Sequence, residues 1–257
     1  MAALSQYAVL LRDAGSPSAE AVRRAFRTFS HLTDADAIRL AANAQGILLR
    51  HVSADEARAL QRALLVEGVN AALVKDEDLS LLPASQMLHR IELTHEALVS
   101  YDLMGRANSV AWGEISLVTA GAVPHVEMSS TPTQRTGLGF HPVFGLWPKT
   151  VTETRSRLET ERHFILELVA GRSSARYEIQ AHQFPFNYVL DRPGASTMEK
   201  FVWLVREMTR RAPGALLNRG AQDMHDGIQL VRGYPSRQLL LDEMVWLLWN
   251  TRQRAAV

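Results

Sequence analysis

One segment near the end of the chain constrains the fold more than any other: RQLLLDEMVWLLWN, residues 237–250. It is long enough for a helix and apolar around most of its circumference. A helix of that kind cannot lie on a surface; it has to be covered on more than one side. Leu240, Met244, Leu247 and Leu248 fall on the stripe expected to face a core. That leaves Trp246 or Trp249 for a second covered surface. A chain of 257 residues can supply such cover, as one large domain or two modest ones.

Residues 7–75 carry a readable order of elements. YAVLL (7–11) is β-rich. Ser16-Pro17 predicts an N-cap with Pro at the first helical position, and Ala21, Val22, Ala25, Phe26 and Phe29 follow at helical spacing. Thr33 and Asp36 form a capping box for a second short helix. GILLRHV (46–52) reads as a strand. Ser53 and Glu56 form another capping box, Gly68 supplies the stop, and VNAALVK (69–75) closes the unit as a strand. The order is β-α-α-β-α-β, an α+β sandwich with its helices on one face of the sheet.

YAVLLRDAG, the helix through AFR, and SADEARALQRALLVEGVNAALVK together resemble the C-terminal domain of the bacterial ribosomal stalk protein. In that family the two-helix face recruits translation factors through Lys and Gly residues at the turn between the helices. Here the turn reads HLTDADAI: His31 and Thr33 stand where the family has glycines, Ala35 and Ile38 where it has lysines. Arg24, Arg27 and Arg39 keep positive charge nearby and make a candidate second binding surface. The resemblance implies a reused small fold serving as a docking module. The expected boundaries are a stalk-like module over 1–76, a linker over 77–87 and a β-rich domain over 88–257.

The third part has a different character. RIELT (90–94) and ALVSYDL (97–103) alternate around a tight turn, and SVAWGEISLVTAG (109–121) reads as a longer strand. HFILELVAG (163–171) and ARYEIQA (175–181) form a hairpin through Gly171-Arg-Ser-Ser174. In the latter, Ala175, Tyr177, Ile179 and Ala181 share one face and Arg176, Glu178 and Gln180 the other. FNYVL (186–190) is a further strand candidate. Ser196 and Glu199 cap a helix with a stripe of Phe201, Leu204, Val205 and Met208. Antiparallel strands followed by a capping helix, with Trp-Gly-Glu-Ile at 112–115, loosely resemble a pleckstrin-homology-like fold. That implies a binding scaffold.

Several chemistries are disfavoured. There is no cysteine, which removes disulfides, Cys-ligated zinc, iron–sulfur clusters and thiol catalysis. The net charge of +1 supplies no field for nucleic acid. None of the histidines forms a metal motif, and no nucleophile elbow, phosphate loop or dinucleotide fingerprint is present. We therefore expect no enzyme, no metal and no cofactor. No signal peptide and no transmembrane segment are expected, so any membrane contact would be peripheral.

The candidate site is TGLGFHPVFGLWPK, residues 136–149, within a long insertion at 121–162. Its flanks are polar. Its centre holds Leu138, Phe140, His141, Val143, Phe144, Leu146, Trp147 and Lys149. Burying a large apolar side chain is worth about 1.5–3 kcal/mol, so such a run calls for cover. Its own domain, another protein with Phe140, Phe144 and Trp147 as anchors, or a membrane interface could provide it. The expected function is a cytoplasmic, non-catalytic accessory or assembly subunit of a larger protein complex, with the inner face of a membrane as a candidate place. The alternatives are a translation-associated protein using the stalk-like domain, and a small-ligand sensor or enzyme with a site scattered along the sequence.

Overall fold

The computed structural model describes residues 5–13, 17–28, 33–141, 145–171, 174–190, 194–228 and 231–255; at 126–141, 145–160 and 255 the backbone alone is described. In chain order the elements are β1 (Tyr7–Leu11), α1 (Ala19–Phe26), α2 (Asp34–Ala42), β2 (Ile47–Val52), α3 (Ala54–Val66), β3 (Ala71–Lys75), β4 (Ser85–Met87) and β5 (Arg90–Leu93). They continue with β6 (Ala97–Tyr101), β7 (Ala107–Ala111), β8 (Ile115–His141), β9 (Gly145–Ala170) and β10 (Ala175–Gln180). The last are α4 (Thr197–Arg211), β11 (Leu216–Leu217), α5 (Arg219–His225) and α6 (Arg237–Ala255). The protein is mixed α+β. Contacts group residues 1–123 with 164–257 as one compact unit and 124–163 as a second.

In the first unit β1 lies between β2 and β3, antiparallel to both. The YAVLL strand shows no polar alternation because both of its faces are covered. Val9 and Leu11 pack with Val22, Phe26, Leu60 and Leu64 of α1 and α3. Ala8 and Leu10, with Ile47 and Ala72, pack against Val245, Trp246 and Trp249 of α6. The helices α1 and α3 occupy one face, and the helix that needed cover on several sides closes the other. Its opposite stripe, Met244 and Leu248, packs with Leu117 and Val169 of β8 and β9. Arg50 of β2 ties the layers further, reaching Asp242 of α6 at 3.1 Å and Asp76 at 3.4 Å.

The remaining strands form two sheets: β5-β6-β7, an antiparallel meander, and β11-β8-β9-β10-β4, whose outer members β11 and β4 run parallel to their neighbours. Phe201, Leu204, Val205 and Met208 of α4 join Ile91, Leu98, Val118, Leu166 and Ile179 in the largest core.

Five local expectations change. Helix α1 starts at Ala19 with Ser18 in the N-cap position and no side-chain cap bond, two residues after Pro17. The segment 109–121 is interrupted by a 3-10 turn at Trp112–Glu114. FNYVL is a helical turn: Phe186–Tyr188 is 3-10, and Leu190 N–H donates to Phe186 O at 2.9 Å. Phe184 and Phe186 pack edge to face, 5.0 Å between ring centres, which a paired strand would not require. The insertion 121–162 is not structureless, because β8 continues to His141 and β9 begins at Gly145. The segment 77–87, read as a linker, is packed: Leu79 is buried beside α6 and Ser85–Met87 pairs with β10.

Candidate functional site

The residues singled out from the sequence have different fates. Leu138, Phe140, His141, Leu146, Trp147 and Lys149 lie on the extended backbone of β8 and β9, with side chains outside the described set. Val143 and Phe144 lie outside the described residues altogether. Arg24, Arg27 and Arg39 are described, and each is matched by acid. Arg24 is 2.7 Å from Glu67, Arg27 is 2.5 Å from Asp34, and Arg39 is 2.8 Å from Asp36. Glu67 and Asp34 raise the pKa of their arginine partners, first by hydrogen bonding and then by charge. The three do not form an uncompensated basic surface.

A cleft that the sequence did not reveal lies in the first unit. It measures about 750 Å³, within the range of small-molecule sites, and is lined by Trp112, Ile115, Pro213, Leu216, Leu248 and Arg252, among others. Its walls come from three places. Trp112 opens the 3-10 turn after β7 and is held rigidly: its indole N–H donates to Thr94 O at 3.1 Å and its backbone N–H to Glu96 O at 3.2 Å. The Arg211 guanidinium stands 5.7 Å from the ring centre and is anchored by Glu207 at 2.7 Å. Pro213-Gly214 ends α4 and delivers Leu216 into β11, beside Leu117 of β8. Leu248 comes from α6.

The polar lining is sparse. Ser116 and Thr251 donate their hydroxyls to Val169 O and Leu247 O, leaving oxygen lone pairs free to accept. Arg252 has no carboxylate partner among the described residues. The arrangement offers an apolar wall with one cation at its mouth. It contains no paired acid and base. Among the described residues no group of three His, Asp or Glu side chains is placed to hold a metal ion.

Two buried polar clusters were also hidden from the sequence. Glu167 and Glu178 face each other directly across β9 and β10, an arrangement of like charges that is unfavourable alone. Arg176 Nε lies 2.9 Å from Glu167 Oε2, an ion pair whose angles do not make a hydrogen bond. Arg237, the first residue of α6, bridges both carboxylates. The second cluster joins Asn218, Tyr234 and Glu243, and burial, then Glu243, hold the Tyr234 hydroxyl protonated well beyond its usual range.

Burial raises the Glu167 pKa, with Arg176 working against the shift and Glu178 adding to it. Glu178 goes the other way: burial opposes its charge, but hydrogen bonds from Gln180, Arg237 and Ser85 outweigh it. A carboxyl whose folded pKa is raised contributes stability below its unfolded pKa and loses it as pH rises through the folded value. Glu167→Gln mimics the uncharged form at every pH. The variant should therefore gain stability relative to the native chain as pH rises from about 4 to about 7. Urea denaturation of both proteins across that range checks this; a difference that is flat or runs the other way would refute it.

No family model matches the chain, and no curated protein or solved structure was found to be similar to it. Among the described residues no helix is long and apolar enough to cross a membrane.

Proposed function

We propose that this chain is a non-catalytic binding subunit that joins a larger protein complex through its 124–163 unit, with the aromatic run 136–149 as the docking element. The observation that carries this reading is strand length. β8 has 27 residues and β9 has 26, where ordinary strands have about 3–10. The core of the first unit uses these strands only as far as Val123 and from Phe164 onward. The remainder is extended chain that this core does not need. In this reading the first module keeps a stalk-like arrangement and the rest is a pleckstrin-homology-like scaffold, at the inner face of a membrane or elsewhere in the cytoplasm.

The test replaces Phe140, Phe144 and Trp147 by Ser in the full chain and compares the complexes purified with native and triple-variant protein, membrane fraction included. Loss of a stoichiometric partner with unchanged thermal stability is the expected result. Identical complexes would refute the assignment, and so would loss of vesicle flotation without loss of any protein partner.

A second reading rests on the cleft at Trp112. An apolar wall with Arg252 at its mouth suits a small amphipathic anion, and the protein would then act as a ligand sensor. Saturable quenching of tryptophan fluorescence by a medium-chain fatty acid, abolished by Arg252→Glu, would support it; equal quenching by the variant would exclude it.

A further inference from the structure

The outer edge of β3 is an unfilled strand position. Among the described residues, the sheet order β2-β1-β3 places no strand beyond β3. Arg12 N–H donates to Asn70 O at 3.1 Å and Asp76 N–H to Gln6 O at 3.0 Å. With Leu10 opposite Ala72 and Ala8 opposite Val74, the even-numbered backbone groups of this strand face β1. Those of Ala71, Leu73 and Lys75 point away from it. The Ala71 carbonyl is taken by the Gln61 side-chain amide at 2.9 Å. The Leu73 N–H and C=O have no partner among the described residues.

A cleft of about 480 Å³ adjoins this edge. Leu73 and Lys75 of β3, Trp249 and Arg252 of α6, Arg12 and Asp78 contribute to its lining. The charges are unevenly engaged. Lys75 is paired with Glu77 at 3.2 Å, whereas Arg12 and Arg252 have no carboxylate partner among the described residues. Arg12 sits opposite Asn70, at the start of β3, and Asp78 follows its end. Arg12 thus brings an unpaired cation to the start of β3, and Arg252 adds a second from α6.

We propose that the β3 edge is a β-augmentation site for an extended acidic segment of a partner protein. An added strand would exchange backbone hydrogen bonds with Leu73 N–H and C=O. Its alternate side chains would point into the cleft, apolar ones against Trp249 and acidic ones toward Arg12 and Arg252. Main-chain pairing supplies the affinity and the two arginines supply the choice of acid over base. This surface belongs to the first unit and does not depend on the reading of residues 124–163.

The experiment is fluorescence anisotropy with the full chain and a labelled ten-residue peptide of alternating Thr and Glu, against the same peptide with Lys in place of Glu. The acidic peptide should bind at least about ten-fold more tightly, and added salt should weaken it. Leu73→Pro removes the outward N–H and leaves the bonds to β1, which use residues 72 and 74, so it should abolish binding. The double variant Arg12→Glu with Arg252→Glu keeps the backbone edge and should reverse the preference between the peptides. Equal affinity for the two peptides, or a preference unmoved by the double variant, would overturn the proposal. Absence of binding to the native chain, or self-association of the chain that excludes the peptide, would overturn it too.

Discussion

Trp246→Ala is expected to destabilise the chain by about 3–5 kcal/mol, the range for truncating a buried large aromatic. The side chain is 4% exposed, and its indole N–H donates to Leu11 O at 2.6 Å. Truncation removes packing against the β1–β3 sheet and leaves a strand-end carbonyl without its partner. The opposing backbone has been cut to fit. Gly46 adopts φ +82°, which L side chains rarely tolerate, and a Cβ built there would lie 2.5 Å from the indole ring. Trp246→Phe should cost less, because it keeps much of the apolar contact and loses the hydrogen bond. Guanidinium denaturation followed by circular dichroism gives the values. A loss below about 1 kcal/mol for alanine would show that the sheet does not depend on α6.

Asn218→Ala should cost a comparable amount, about 3–5 kcal/mol, for a different reason. The side chain is 0% exposed and makes four hydrogen bonds. Its oxygen accepts from Ala120 N and Ala221 N, both at 2.9 Å, and its amide donates to Ala120 O at 3.1 Å and to the Tyr234 hydroxyl at 2.7 Å. The substitution uncaps α5 and strands both backbone groups of a buried residue in β8. Relaxation cannot rescue it by closing the gap. Gly220 already lies against the Ala120 carbonyl so closely that a Cβ would collide with it. Asn218→Asp separates the contributions: it keeps the acceptor and removes both donors, beside the Tyr234–Glu243 pair. If Asn218→Asp proved as stable as the native chain, the donor half of the network would carry nothing.

Local grammar was the legible part of this sequence. The Thr33/Asp36, Ser53/Glu56 and Ser196/Glu199 pairs all form reciprocal capping boxes, because a cap is decided by residues three apart. The all-round apolar helix was legible too, since its circumference required cover on several sides. The ARYEIQA strand shows where such reading stops. Alternation correctly separates Tyr177 and Ile179 from Arg176 and Glu178, yet both faces are buried. Nothing within the strand indicates that Arg237, far along the chain, closes over the polar side. The cleft was illegible for the same reason, as its walls at Trp112, Leu216 and Leu248 meet only after the sheets have formed. FNYVL misled because its composition suits a strand, while its backbone closes a local turn in which Leu190 N–H donates to Phe186 O.

The cover that α6 gives the first sheet also sets an order of events during synthesis. Strand β3 leaves the ribosome long before Trp246 and Trp249 exist, since α6 spans Arg237–Ala255 and β3 ends at Lys75. At ordinary elongation rates the wait is on the order of ten seconds or more. Throughout it, Ala8, Leu10 and Ala72 present an apolar sheet face that only Leu79 and Leu82, just downstream of β3, can begin to cover. A nascent chain stalled before residue 237 should therefore engage chaperones through its N-terminal module, and release them when the final helix emerges.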